Sequence, residues 1–392
     1  MAPMTMSYLD WAATAPPQAP EPADYRLGNP SSAHACGRQQ RQALGAARAR
    51  LAAVLGCPPE EIVATGGATE ADHLVLYSPL AHLRRDARSA FRRGVVHSAV
   101  EHAAVAEPAR QLARIGFPVR EVRVGGDGLI DLDHLAACLD DDTRLVALIA
   151  VNNETGAIQP LGPALGLVRD HARRRGRHVH FHTDAVQALC RGLEVPLTAA
   201  DSAAVSAHKL GGPVGVGALW LRGEVPFEPL TRGGGQEGGL RPGTENVAGI
   251  TAFARQAAAL APAAARHLCH ARTLHAQLVA GAERLGLQVV PEQRRDLPER
   301  YSPYITCLAA QGVPAEVLVR VLSDRGVYVS RGSACAAGGN KISPVLRAMG
   351  VATDLAGGAF RVSVGWTTSE ADIARLLEAL ERELPPLRAV AR

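Results

Sequence analysis

Two stretches decide the fold: Val179-His180-Phe181-His182-Thr183-Asp184-Ala185-Val186-Gln187, and Ala203-Ala204-Val205-Ser206-Ala207-His208-Lys209-Leu210-Gly211-Gly212. Each begins as a short β-favouring run and ends abruptly in polar residues and a turn. That is the pattern of a buried strand delivering its last side chains to one edge of a sheet. Working outward, residues 62–64, 94–97, 119–124, 145–151 and 217–221 also read as strands, mostly separated by helix-length segments. Residues 41–55 carry alanine and leucine at helical spacing and stop at Gly56, with Pro58-Pro59 beyond. Strand and helix alternating in this way predict an α/β fold, a mainly parallel sheet flanked by helices, whose ligands sit beyond the carboxyl ends of the strands. Past about residue 255 the chain turns to long Ala/Leu/Arg helices, one read over 252–285, then a few strands and a closing helix over 369–384. The expected division is a large domain of residues 15–255 and a smaller α/β domain of residues 1–14 plus 256–392. The Gly-rich stretch 233–243, just before that change, reads in isolation as a flexible linker.

Composition removes several classes of function. The 392 residues are 47% hydrophobic and 20% charged, which supports a large buried core and excludes disorder. No run approaches the ~18 consecutive apolar residues of a membrane span. The opening Met1 to Asp10 has neither a basic stretch nor a long apolar one, so a cytoplasmic protein is expected. Seven scattered cysteines without a C-x-x-C pair argue against a disulfide framework and a structural zinc site. A net charge of +4, with basic residues dispersed, gives little support to nucleic-acid binding. Of the 42 basic residues 40 are arginine, and lysine stands only at Lys209 and Lys341. A lysine kept against that bias hints at a place where an amine able to form an imine is required.

Polar motifs fall at the ends of the expected strands. Thr65-Gly66-Gly67-Ala68-Thr69-Glu70 has the form of a strand, a glycine turn and a helix start, whose free N–H groups and hydroxyl suit a phosphate; an ordinary helix cap is the plainer reading. Asp184 suits a protonated ring nitrogen and Gln187 a phenolate oxygen, although an Asp in that place commonly caps the next helix. Lys209 follows its strand directly. An aspartate for a pyridinium and a lysine for an aldehyde are the two groups a pyridoxal phosphate site requires. His102 and Asn153 end two further strands, where an imidazole can lie on the ring face and an amide can reach the ring oxygen. Cys335 lies in a small, Gly-rich loop and is the candidate nucleophile, whereas Cys138 and Cys307 sit in apolar periodic segments. Arg361, on a short apolar strand, suits capture of a substrate carboxylate, a surface ion pair being the alternative. The alternating His178, His180 and His182 fit strand periodicity as well as metal ligation, and no metal is expected.

These residues resemble a known family. Tyr8-Leu9-Asp10, Gly28-Asn29-Pro30-Ser31-Ser32-Ala33-His34, Glu101-His102, Asn152-Asn153-Glu154-Thr155-Gly156, Ser206-Ala207-His208-Lys209 and Gly332-Ser333-Ala334-Cys335 are similar to the motifs of NifS/IscS-type cysteine desulfurases, in the same order. Trp11 stands where that family usually has histidine. The resemblance implies a homodimeric fold-type I pyridoxal-phosphate transferase of the class V aminotransferase group, with the long form of the cysteine loop. It further implies that Lys209 carries the cofactor as an imine, Asp184 holds the pyridine nitrogen, His102 stacks on the ring, and Asn153 and Gln187 address the phenolate oxygen. Ala68, Thr69, Ser206 and His208 would hold the phosphate, joined by Thr244 from the second subunit. Arg361, with Asn153, would bind L-cysteine, and Cys335 would take its sulfur as a persulfide, release alanine and pass the sulfur to an acceptor protein. Iron–sulfur assembly, transfer-RNA thiolation, DNA phosphorothioation and sulfur-containing metabolites all remain open as destinations. Selenocysteine lyase, an aminotransferase and a weakly active sulfur carrier remain as alternative activities.

Overall fold

A computed structural model of the protein describes residues 6–17, 21, 24–25, 27–81, 93–332 and 342–390. Its centre is a seven-stranded sheet built from β2 (Ile62–Thr65), β3 (Gly94–Ser98), β4 (Val119–Val122), β5 (Thr143–Ala147), β6 (His180–Asp184), β7 (Ser202–Ser206) and β8 (Gly217–Leu221). The spatial order is β2-β8-β7-β6-β5-β3-β4. The pairs joining β4, β3, β5, β6 and β7 are parallel, whereas β8 runs against both of its neighbours. The expected mainly parallel sheet is therefore present.

Both faces of this sheet are apolar, which parallel strands covered on each side require. Val96, Val146, Phe181, Ala203, Val205 and Trp220 face one core, packed under α1 (Ala35–Leu55) and the helix Val247–Leu260. Val95, Leu145, Ala147, Ala204 and Leu219 face the other, under α2 (Ala68–Leu76) and α3 (Ala103–Arg114). The alternation along each strand is the period of two that a pleated strand imposes.

Several boundaries differ from the sequence reading. Helix α1 begins at Ala35, because the His34 ring accepts from Gly37 N–H and caps it. The strand read over 145–151 stops at Ala147, although Leu148 and Ala150 N–H still donate to the His182 and Asp184 carbonyls. The long helix over 252–285 is two helices, Val247–Leu260 and Ala264–Arg284, joined by a 3₁₀ turn at Ala261–Ala263 that contains Pro262. Proline has no N–H to continue an α-helical ladder, which accounts for the break. The Gly-rich stretch before it is anchored rather than loose. Glu237, buried with a positive φ of 48°, accepts from Ala64 N–H of β2 and from Arg48 of α1.

The remaining strands form two small sheets. β9 (Gln288–Val290), β10 (Ile305–Ala309) and β12 (Ala359–Ser363) are antiparallel in the order β12-β10-β9, and β1 (Ser7–Tyr8) pairs in parallel with β11 (Val327–Tyr328). Their core gathers Leu9, Leu274, Leu308, Phe360, Val362 and Leu376. A further apolar cluster joins Val100 and Ile149, beyond the ends of β3 and β5, to Val290, Cys307 and Met349. It brings β10 and β12 against the carboxyl edge of the large sheet.

The N-terminal segment crosses that junction. Trp11 is buried and meets Trp366 edge-on, with ring centroids 4.7 Å apart. Gly365 leaves the necessary room, since a Cβ there would lie 2.1 Å from Trp11 Cε3. Gly365→Ala should therefore destabilise the protein by about 1–3 kcal/mol, the usual cost of overpacking, measured as a drop in the thermal or urea midpoint. An unchanged midpoint would show that the indole moves freely.

Candidate active site

The parallel strands end at one edge of the sheet, and the polar motifs of the sequence converge there on a cavity of about 340 Å³. Asp184, the last residue of β6, is buried at its floor. Lys209 arrives from β7 through the 3₁₀ turn Ala207–Leu210, which Gly211 closes in the left-handed region at φ 77°. His102 follows β3 and caps α3, its Nδ1 accepting from Ala104 N–H. Asn153, from the loop after β5, and Arg361, from β12, complete the opposite wall. Ala68, Thr69, Gln187, Ser206 and His208 also line the cavity.

The amine of Lys209 is already held. It donates to the carbonyl oxygens of Ala12 at 2.6 Å and Ala13 at 2.8 Å, and Gln187 Nε2 donates to the same Ala12 oxygen at 2.9 Å. Burial lowers the Lys209 pKa to about 8; the Arg361 charge works in the same direction and Asp184 against it. Burial likewise pushes Asp184 up, opposed by His102 and Lys209, and pushes His102 down. The imidazole of His208, brought to about 4 by burial and by Lys209, is neutral at physiological pH.

Arg361 is not a surface ion pair. Its side chain is 2% exposed, donating through Nη2 to Asp10 Oδ1 at 2.7 Å and through Nη1 to the Asn153 carbonyl at 2.8 Å. Asp184 caps no helix, since a turn rather than a helix follows it; it accepts from Val186 N–H at 3.0 Å in that turn while it faces the cavity. Thr244 is exposed and is not among the residues lining this cavity. Cys335 lies outside the described residues. None of the six described cysteines lines the cavity. Burial pushes the thiols of Cys190 and Cys307 up to about 12, so they are poor nucleophiles.

Sequence reasoning missed a polar shell beneath Asp184. Asp72 of α2 is buried against His182 of β6, with Oδ1 2.9 Å from Nε2. His182 Nδ1 in turn lies 2.7 Å from Ser202 Oγ, which is also 2.7 Å from His180 Nε2. Burial, followed by the neighbouring His180, takes His182 down to about 3, so this ring is neutral. Glu101 accepts from Ser98 Oγ and Ile149 N–H, and burial lifts its pKa to about 8. Asp72 was detectable in principle, because it falls with Ala68, Ala71, Val75 and Leu76 on the inward stripe of α2. His180 and His182 are thus engaged by Ser202 and Asp72, and His178 Nε2 lies 3.6 Å from Asp201 Oδ2. Among the described residues no group of three or more His, Cys, Asp or Glu side chains forms a metal site.

The comparisons with known proteins fit this geometry. The aminotransferase class-V family model matches residues 7–376. This chain belongs to that family. A cysteine desulfurase of Cereibacter sphaeroides is 41% identical over 93% of this chain and 90% of its own length, and the cysteine desulfurase IscS of Dictyoglomus turgidum is 33% identical over 98% and 96%. A solved NifS-like protein superposes with a TM-score of 0.86 at 32% identity, covering 98% of this chain and all of that one. The family is dependent on pyridoxal 5′-phosphate, and the residues present fit that group. No side chain caps α2, so its first N–H groups remain open to a phosphate beside the glycine turn. A buried carboxylate and an amine of lowered pKa face the same cavity. Asp72 Oδ2, also at the cavity, has no hydrogen-bond partner.

Only an unprotonated amine adds to an aldehyde. With the Lys209 pKa brought down to about 8, the rate of cofactor uptake by apoprotein should rise through a midpoint near pH 8. Following the visible cofactor band against pH checks this, and a midpoint at the ordinary lysine value of ~10.4 would contradict it.

Proposed function

We propose that this protein is a pyridoxal-phosphate-dependent L-cysteine desulfurase, and that the residues converging on the cavity share the work as follows. The observation that carries the reading is the meeting of Lys209, Asp184 and Arg361, from three separate strands, in one cavity. Bound pyridoxal phosphate supplies an electron-withdrawing ring that acidifies the substrate Cα–H. Asp184 would place a buried carboxylate at the ring nitrogen and keep it protonated, and His102 would cover the ring. Gln187 and Asn153 would address the ring oxygen. Ala68, Thr69, Ser206 and His208 would hold the phosphate. Arg361 binds the substrate carboxylate through its guanidinium, in exchange for part of its contact with Asp10. Lys209 Nζ, largely buried and easily deprotonated, moves the Cα proton.

Cys335 is the sulfur acceptor within the chain. It stands three residues beyond Gly332, and both described ends of that loop approach Glu154, next to Asn153. Ser343 Oγ donates to Glu154 Oε2 at 2.6 Å, and a Cβ on Gly332 would stand 3.1 Å from the same oxygen. The thiolate attacks the substrate sulfur: the C–S bond breaks, an S–S bond forms, a proton replaces sulfur on the carbon, and alanine leaves. The enzyme-bound persulfide then passes its outer sulfur to an acceptor protein in an iron–sulfur or thiolation pathway.

The reading includes a homodimer in which Thr244 of the partner subunit completes the phosphate site; the exposure of Thr244 and its absence from the lining of its own chain's cavity support this. It also includes the two-part division into residues 15–255 and residues 1–14 plus 256–392, supported by the separate cores of the large and small sheets. Among the described residues no helix is long and apolar enough to cross a membrane. The absence of disulfides among the six described cysteines supports a cytoplasmic place of action.

Replacing Cys335 with serine should leave the visible cofactor band intact and lower sulfide and alanine formation from L-cysteine by about a hundredfold or more. Assaying both products together with a reductant tests the assignment. Full turnover in the variant would move the protein to another class V activity.

A further inference from the structure

The turn assigned to the cofactor phosphate already contains a carboxylate. Glu70 lines the cavity with Gly67, Ala68 and Thr69, and its Oε2 accepts from Gly66 N–H at 2.5 Å. A phosphate ester brings between one and two negative charges at neutral pH, so an uncompensated carboxylate at this place would oppose it. Glu70 is compensated from behind. Arg241 Nε donates to Oε1 at 2.7 Å and Nη2 to Oε2 at 3.3 Å, a two-point guanidinium–carboxylate contact. Burial works against ionisation of Glu70, yet the hydrogen bonds from Arg241 and Gly66 leave its pKa below the usual value, so the negative charge is present.

Arg241 does not itself line the cavity; it comes from the loop that follows the buried Glu237. Its other acidic neighbours are Glu237 and Glu245. Glu237 is already engaged by Arg48 and the Ala64 N–H. Glu70 is therefore the one that a guanidinium from this loop grips at two points.

We propose that Arg241 is a positioning residue for the cofactor phosphate: it cancels the Glu70 charge at the glycine turn, so that the phosphate can settle on the amides of Gly67 to Thr69 without touching Arg241. The same clamp ties the loop that carries Thr244, three residues further on, to the turn. This inference rests on the cofactor site assigned above and adds a residue to it.

The test uses apoprotein titrated with pyridoxal phosphate and, separately, with pyridoxal, which lacks the phosphate, following the visible band. Arg241→Gln should weaken pyridoxal phosphate binding by about tenfold or more and change pyridoxal binding by less than about twofold. The double variant Glu70→Gln with Arg241→Gln should return to within about threefold of the parent, because no charge is left to cancel. Inorganic phosphate, competing for the site, should show the same order of affinities. Equal loss for both ligands, no loss for either, or no recovery in the double variant would overturn the proposal. A parent apoprotein that takes up neither ligand would instead remove the cofactor site itself, and this role for Arg241 with it.

Discussion

Neighbouring parallel strands have to end at the same edge of their sheet, and everything at the site depends on that constraint. β3, β5, β6 and β7 run together, so His102, Asn153, Asp184 and Lys209 are delivered to one place although more than a hundred residues separate the first from the last. Two apolar faces hold the strands in register. A one-residue slip would turn Asp184 away from the cavity and bury it in a hydrophobic face, so the core that stabilises the sheet also aims the chemistry.

Concentrating charge in that place has an electrostatic cost. Lys209, Asp184, Asp72, Glu101 and Arg361 are all drawn out of water, and burial moves the carboxyl and amine groups towards their neutral forms. The protein offsets the cost with hydrogen bonds. Backbone carbonyls of Ala12 and Ala13 hold the amine, Asp10 and the Asn153 carbonyl hold the guanidinium, and a neutral His182 supports Asp72. The N-terminal segment thus acts at a distance in sequence, through the carbonyls of two alanines. A site with these groups suits a reaction that needs a free amine and a fixed cation.

Much of this was legible in the chain itself. Polar residues at the ends of apolar runs located the strands and their functional ends, and the scarcity of lysine drew attention to Lys209. The contacts of Arg361 with Asp10, of Asp72 with His182 and of Arg241 with Glu70 were not legible, because each joins elements far apart in sequence and leaves no periodic trace. Likewise, the Gly-rich stretch before the helix Val247–Leu260 looks like a linker until Glu237 is seen reaching β2 and α1.

The sequence by itself determined the alternation of strands and helices, the helix stop at Gly56, and the chemical identity of the groups at the strand ends. These are local matters, governed by period, backbone conformation and side-chain chemistry. Only the tertiary structure decided which of those groups share a cavity, which charges are neutralised there, and that Ala12 and Ala13 cap the lysine. Those outcomes depend on distance and dielectric in three dimensions, which the order of residues along the chain does not carry.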